Sequence, residues 1–273
     1  MGTKDAHFSV QNEARPLRRH FFEAVFVSSS APARDAVILA AGNGDRFKNE
    51  NHHSKLLHPV AGRPLILRTL DTAAAAGISS FCVVLGFEAD RVRSVVTANP
   101  IQGIDVRFVH NPDWHLENGV SALAARRYCD GRRFALLMGD HLFEASVLQR
   151  MLALDLPGSD SVLAVDSLPA DPSIADEATR VRMTGGRITA IGKDVTPWDA
   201  LDTGIFVFAP VLFDALDESC AAGQTTLSAG VQRLAARGLM RAHDVAGSSW
   251  CDVDTVDDLN AAETLIGAEP EPA

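Results

Sequence analysis

Four features of this chain could together handle a polyphosphate. The first is a glycine loop, Leu39-Ala40-Ala41-Gly42-Asn43-Gly44, directly behind an apolar run. Glycine allows positive φ and puts no side chain between backbone amides and phosphate oxygens. The second is a pair of cations, Arg46 and Lys55. Arg46 offers a planar fork suited to β- and γ-phosphates, and Lys55 a compact charge suited to an α-phosphate. Spacing alone leaves it open that both are ordinary surface cations. The third is Asp140, which closes FALLMGD, and the fourth is Asp252 with Asp254 in WCDVD. Magnesium takes hard oxygen ligands, usually one or two carboxylates plus substrate phosphates, so aspartates reaching one cleft from distant segments suit it. The plainer alternatives are a turn for Asp140 and a helix N-cap for Asp254 or Thr255, and the cap reading is adopted for those two.

Other phosphate and catalytic signatures fail. A dinucleotide fingerprint needs a third small residue where Phe47 stands, and an acidic residue where Gly62, Arg63 and Pro64 stand. No Gly-Lys-Ser/Thr ends a Walker loop. No Ser/His/Asp or Cys/His set is evident, and His52, His53, His58, His110, His115 and His141 read as loop or core residues rather than bases. Cys82, Cys129, Cys220 and Cys251 lie far apart with no C-x-x-C pair, which argues against zinc and against a disulfide framework.

These residues need a scaffold that gathers loops at one edge. AVILAA (36–41), FCVVLG, DVRFVH and FALLMGD read as strands, the first as a run covered on both faces. Between them come helices: one starting at Pro64 and stopping at Gly77, one near Ala89 to Ala98, and one near Val120 to Tyr128. This alternation predicts an α/β fold with a single-domain, mostly parallel, doubly wound sheet, whose ligands bind at the carboxyl ends of the strands. After about residue 170, ATRVRMTGGRITAIGKD predicts a small β-hairpin subregion around Gly185-Gly186. A strand at DTGIFVF follows, then a helix at TLSAGVQRLAARG capped by Thr225, Thr226 or Ser228, and a closing helix at TVDDLNAAETLIG. Residues 1–33 read as a disordered extension, 34–266 as the catalytic domain and 267–273 as a disordered tail.

Bulk properties narrow the function. With 273 residues, 47% hydrophobic and 22% charged, the chain can bury one large core. A net charge of -10 argues against a nucleic-acid partner, which would need a basic footprint. No run approaches the ~20 apolar residues of a membrane span. Glu23 interrupts the one N-terminal apolar stretch that could pass for a signal segment, so the cytoplasm is expected.

The run from Ala36 to Pro64 resembles the signature of sugar-phosphate nucleotidyltransferases: strand, L-A-A-G-x-G-x-R, spacer, lysine and G-x-P helix start. MGDHLF, EATRVR, GRITAIGKD, DTGIFVF, TLSAGVQRLA and WCDVDTVDDL then follow in the order of a closer relative. That relative is the cytidylyltransferase half of the bifunctional inositol-1-phosphate cytidylyltransferase/di-inositol-phosphate-phosphate synthase. The resemblance implies transfer of CMP from CTP to L-myo-inositol 1-phosphate or another polyol phosphate, with pyrophosphate released. It implies a Mg2+ ion on Asp140 and Asp252, a triphosphate held by the loop at Leu39–Gly44 with Arg46 and Lys55, and a base facing Asn118, Gly119 and Ser121. Lys193, Thr203 and Gly204 would meet the acceptor. The spacer between Arg46 and Lys55 is longer and more polar than the family's. Only the transferase half is resembled, so a separate membrane CDP-alcohol phosphotransferase is expected downstream. The alternatives are a sugar-1-phosphate nucleotidyltransferase using UTP, dTTP or GTP and, more remotely, a non-catalytic nucleotide-binding protein.

Overall fold

The computed structural model describes residues 33–44, 47, 53–129, 131–169, 175–255, 258–259 and 262–263. Arg46, His52, the N-terminal extension, the tail and most of the expected closing helix lie outside them.

The chain opens with β1 (Asp35–Ala40) and, beyond the glycine loop, a 3-10 turn at Lys55–Leu57. A two-residue ribbon follows, β2 (Pro59–Val60) and β3 (Arg63–Pro64), and Pro64 then sits at the N-cap of α1 (Leu65–Ala75). Next come β4 (Ser80–Leu85), α2 (Ala89–Ala98) and β5 (Asp105–His110). Two short helices, α3 (Asn118–Ala124) and α4 (Arg126–Cys129), occupy the stretch expected to hold one. The chain continues through β6 (Phe134–Met138), β7 (His141–Phe143), α5 (Ala145–Leu152) and β8 (Ser161–Asp166). The expected hairpin is β9 (Arg180–Thr184) and β10 (Arg187–Gly192), with Gly185 and Gly186 both at positive φ in its turn. The remaining elements are β11 (Ala200–Phe208), α6 (Val211–Ala221), α7 (Leu227–Ala236), β12 (Met240–Asp244) and β13 (Trp250–Asp252). Thr226 is the α7 cap: its hydroxyl accepts from the Ala229 amide at 3.1 Å.

The fold is α/β, with one nine-stranded sheet in the order β5-β4-β1-β6-β11-β8-β12-β10-β9. Pairing is parallel from β5 through β6 and again between β8 and β12, while β11 runs antiparallel to β6, β8 and β9. The sheet is therefore mixed rather than mostly parallel. Local sequence marks β11 as a buried strand but carries no sign of its direction.

Both faces are covered, which is why β1 is apolar throughout. Ala36, Ile38 and Ala40 pack into the core beneath α1, α2 and α5, and Val37, Leu39 and Ala41 into the core beneath α3, α6 and α7. A third, small cluster joins Phe47, Val60, Leu65, Leu142, Val253, Leu259 and Ala262. Phe47, the residue that breaks the dinucleotide fingerprint, is buried here against the edge of the His58 ring. Burying a phenylalanine contributes about 1.5–3 kcal/mol. This cluster ties the loop after β1 to the two segments that carry the carboxylates.

Candidate active site

The functional side chains gather because two distant segments pair as a ribbon at the carboxyl edge of the sheet. β6 ends at Met138, beside Leu39 of β1, and Gly139 approaches β1 so closely that a Cβ there would sit 2.9 Å from the Leu39 carbonyl oxygen. β7 then turns away and pairs antiparallel with β13, placing Asp252 opposite His141. The Val253 amide donates to the Asp140 carbonyl at 3.1 Å and closes the ribbon. From below, the Thr69 hydroxyl of α1 lies 3.1 Å from the Gly139 carbonyl and 3.2 Å from that of His141.

Lys55 enters from the other side. It is buried, with Nζ 2.7 Å from Asp140 Oδ2 and 2.6 Å from Asp254 Oδ1. Its aliphatic stem lies against Gly44, where a Cβ would stand 3.1 Å from Lys55 Cγ and Cδ, and where φ is +64°. Burial alone would lower the Lys55 pKa, but Asp140, Asp252 and Asp254 outweigh it and hold the ammonium charged. Asp254 is thus a partner of Lys55 rather than the expected helix cap. Thr255 does take the capping role: its hydroxyl accepts from the Asp258 amide at 3.3 Å, and Asp258 Oδ2 returns to the Thr255 amide at 2.7 Å.

His141, set aside as a loop or core residue, stands inside the cluster. Its Nδ1–H donates to the Thr203 carbonyl at 2.9 Å, which turns Nε2 toward Asp252 Oδ1 at 3.3 Å and Asp140 Oδ1 at 3.8 Å. The ring occupies the space a side chain at residue 204 would fill: a Cβ on Gly204 would lie 2.4 Å from His141 Cε1 and Nδ1. The signal that could have found it was its adjacency to Asp140, since β7 begins there and carries both groups to the edge.

Carboxylates outnumber cations here, and the protonation equilibria show it. Burial pushes Asp252 up, and the repulsion of Asp140 and Asp254 adds to this against the attraction of His141. Burial likewise pushes Asp202 up to about 6. Burial opposes the charging of His141, yet Asp252 and Asp140 push it up to about 10. Asp140 remains below the ordinary carboxylate range: burial would raise it, but Lys55 and His141 prevail.

A divalent cation fits this donor set. Asp140, His141 and Asp252 each offer a ligand atom, and these atoms lie within 4.8 Å of one another. Asp252 Oδ1 is buried with no well-aligned hydrogen bond. A metal-ligating histidine commonly donates its other ring N–H to a backbone carbonyl, as His141 Nδ1 does to Thr203, and a bound cation would displace the proton on Nε2.

Several of the other expected residues have side chains already occupied within the fold. Gly42 faces open space, and Ala41, at the loop's root, accepts from the Phe87 amide at 2.9 Å. Asn118 Oδ1 accepts from the Leu227 amide at 2.8 Å, Gly119 packs against the Thr225 and Thr226 backbone, and the buried Ser121 hydroxyl accepts from Asn111 at 3.0 Å. Thr203 is buried and its hydroxyl donates to the Ala164 carbonyl at 2.9 Å, across a register irregularity between β11 and β8. Lys193 is exposed, one residue beyond β10. The structure therefore brings Lys55, Asp140, His141, Asp252 and Asp254 into contact, and leaves Lys193 outside that group. Among the described residues, no helix is long and apolar enough to cross a membrane.

Residues 36–239 match the family profile described as MobA-like NTP transferase domain. The bifunctional IPC transferase and DIPP synthase of Rubrobacter xylanophilus is 38% identical over 236 residues, which are 85% of this chain and 51% of that protein. The protein of the same name from Aquifex aeolicus is 33% identical over 234 residues, again 85% of this chain and 51% of the relative. This chain thus spans about half the length of these curated relatives. Among solved structures, the inositol-1-phosphate CTP transferase from T. maritima superposes with a TM-score of 0.76 at 22% identity, covering 88% of this chain and 99% of the other.

Proposed function

The chain belongs to the MobA-like NTP transferase domain family, and on that premise we propose that it is a magnesium-dependent cytidylyltransferase that joins CTP to a polyol phosphate. L-myo-inositol 1-phosphate is the acceptor put forward first, with CDP-inositol and pyrophosphate as products. The observation that carries the reading is the meeting of Lys55 with Asp140, Asp252 and Asp254 at the sheet edge where the glycine loop begins. Nucleotide binding alone would not require so many half-buried carboxylates around one lysine. The names of the relatives, about half of whose length this chain spans, and of the T. maritima structure support the choice of CTP and inositol phosphate.

In this reading Asp140 and Asp252, with His141 beside them, would hold the Mg2+. When bound, the ion would supply positive charge to offset that on the α-phosphate. The amides of the loop from Leu39 to Gly44 cradle the triphosphate, together with Arg46. Lys55, held charged by its aspartates, exchanges a carboxylate for the α-phosphate and stabilises the equatorial charge that develops there. Asn118, Gly119 and Ser121 face the base; with the Asn118 and Ser121 side chains engaged elsewhere, their main chain does the reading. Lys193, together with Thr203-Gly204 within β11, meets the acceptor. The acceptor is a phosphate monoester with its second pKa near ~6, already largely dianionic at neutral pH, so no general base is needed. Catalysis then consists of positioning and charge neutralisation.

A pyrophosphate-release screen crossing CTP, UTP, dTTP and GTP with inositol 1-phosphate, other polyol phosphates and sugar 1-phosphates tests this. The expected signal is CTP with inositol 1-phosphate, abolished by a chelator and restored by Mg2+. A signal from another pair with none from this one would replace the assignment.

A further inference from the structure

Between Gly44 and Lys55 the sequence carries its long, mostly polar spacer, and described residues on both sides of that spacer are held by one turn, residues 86–88. On the near side, the Phe87 amide donates to the Ala41 carbonyl at 2.9 Å. On the far side, Glu88 Oε2 accepts from the Ser54 amide at 2.7 Å, directly before Lys55. Glu88 also accepts from Arg91 at 2.6 Å and lies 3.2 Å from His53 Nδ1. Gly86 makes the close approach possible, since a Cβ there would come within 2.6 Å of the Ala41 carbonyl oxygen and 2.3 Å of Trp114 Cβ.

Glu88 is an unusual residue for this place. Its backbone is left-handed, with φ 47° and ψ 34°, a conformation that L-residues other than glycine and asparagine seldom adopt. A glycine would relax the turn but would bring no carboxylate. The side chain is only 18% exposed, and although burial pushes its pKa up, the Ser54 amide and Arg91 pull it below the ordinary range. The strained backbone thus aims an ionised carboxylate at the one amide that precedes the lysine.

We infer that Glu88 is a positioning residue: by anchoring Ser54 to the turn that also holds Ala41, it sets the distance between the glycine loop and Lys55, and so the placement of Lys55 among Asp140 and Asp254. Lys55 makes its own contacts with those aspartates, so a loosened Ser54 leaves the ion pairs available but the approach of the ammonium unfixed. The consequence for turnover rests on the transferase reading; the consequence for Lys55 itself does not.

The experiment reads both. Lys55 and the exposed Lys193 are labelled with an amine-reactive ester and quantified by mass spectrometry in wild type, Glu88→Ala and Glu88→Gln. Losing a charge-assisted hydrogen bond should raise the Lys55 rate relative to Lys193 on the order of ten-fold in Glu88→Ala. Glu88→Gln, which keeps an acceptor for the Ser54 amide, should stay near wild type. With CTP and inositol 1-phosphate, Glu88→Ala should lower kcat by a similar factor and leave the acceptor KM unmoved, with kcat restored by Gln. Should Glu88→Ala not fold, Ser54→Pro removes the same donor at a residue whose φ is already -53°, and should give the same labelling change. Unchanged Lys55 labelling in the folded variants overturns the inference. An altered Lys55 rate in a protein that turns over none of the tested nucleotides leaves the inference standing and removes the transferase reading.

Discussion

Replacing Gly204 by alanine should damage the site through a single ring. The backbone there has φ +75°, and the new Cβ would stand 2.4 Å from His141 Cε1 and Nδ1 and 3.1 Å from Met138 Cγ. Ordinary contact begins at 3.4 Å, so the ring must retreat by about 1 Å, the difference between 3.4 and 2.4 Å. Nδ1 is tethered to the Thr203 carbonyl at 2.9 Å, and Nε2 would lose its aim at Asp252. Left-handed strain costs about 1–2 kcal/mol and overpacking about 1–3 kcal/mol, giving roughly 2–5 kcal/mol in all. A displacement of that size near reacting groups lowers turnover by about 100-fold. Urea unfolding of Gly204→Ala, His141→Ala and the double variant separates the two contributions. Removing the ring should relieve the packing part, so that the double variant is more stable than additivity predicts by about 1–3 kcal/mol. Independent effects of the two substitutions, or a Gly204→Ala cost below about 0.5 kcal/mol, would refute the claim that residue 204 is glycine to admit His141.

Other outcomes follow from the same geometry. Asp140→Asn should abolish turnover nearly completely while circular dichroism stays native; surviving activity would remove Asp140 from the metal site. Asp160 is hydrogen-bonded to Arg241 at 2.6 Å and lies 3.3 Å from Arg187, and although burial raises its pKa these arginines hold it below the ordinary range. Its contribution is therefore present above the unfolded carboxylate pKa and is lost as pH falls through the lower folded value. Because the arginines are partly exposed, Asp160→Asn should cost only about 1–2 kcal/mol at pH 7 and should shrink the loss of urea resistance on acidification; an unchanged acid limb would show that the pairing contributes nothing. Thr226→Ala should cost about 1 kcal/mol by uncapping α7, measured by thermal unfolding.

The sequence by itself determined the parts that depend on neighbours along the chain. Apolar runs gave β1, β4, β5 and β6, proline and glycine bounded α1, and Gly185-Gly186 placed the hairpin turn, because backbone preference and burial pattern act over a few residues. Asp140 at the end of a buried strand was legible for the same reason, as was the glycine loop behind β1. What the tertiary structure decided is how distant segments meet. The antiparallel course of β11, the pairing of β13 with β7 that sets Asp252 opposite His141, and the capture of Lys55 by Asp254 all arise from packing between segments with no local signal of partnership. Asp254 and Thr255 looked equally able to cap a helix. Which one did so, and which turned to the lysine, was fixed by the small core around Phe47 and Val253, since burying that cluster leaves Asp254 facing the ammonium and Thr255 facing the next turn.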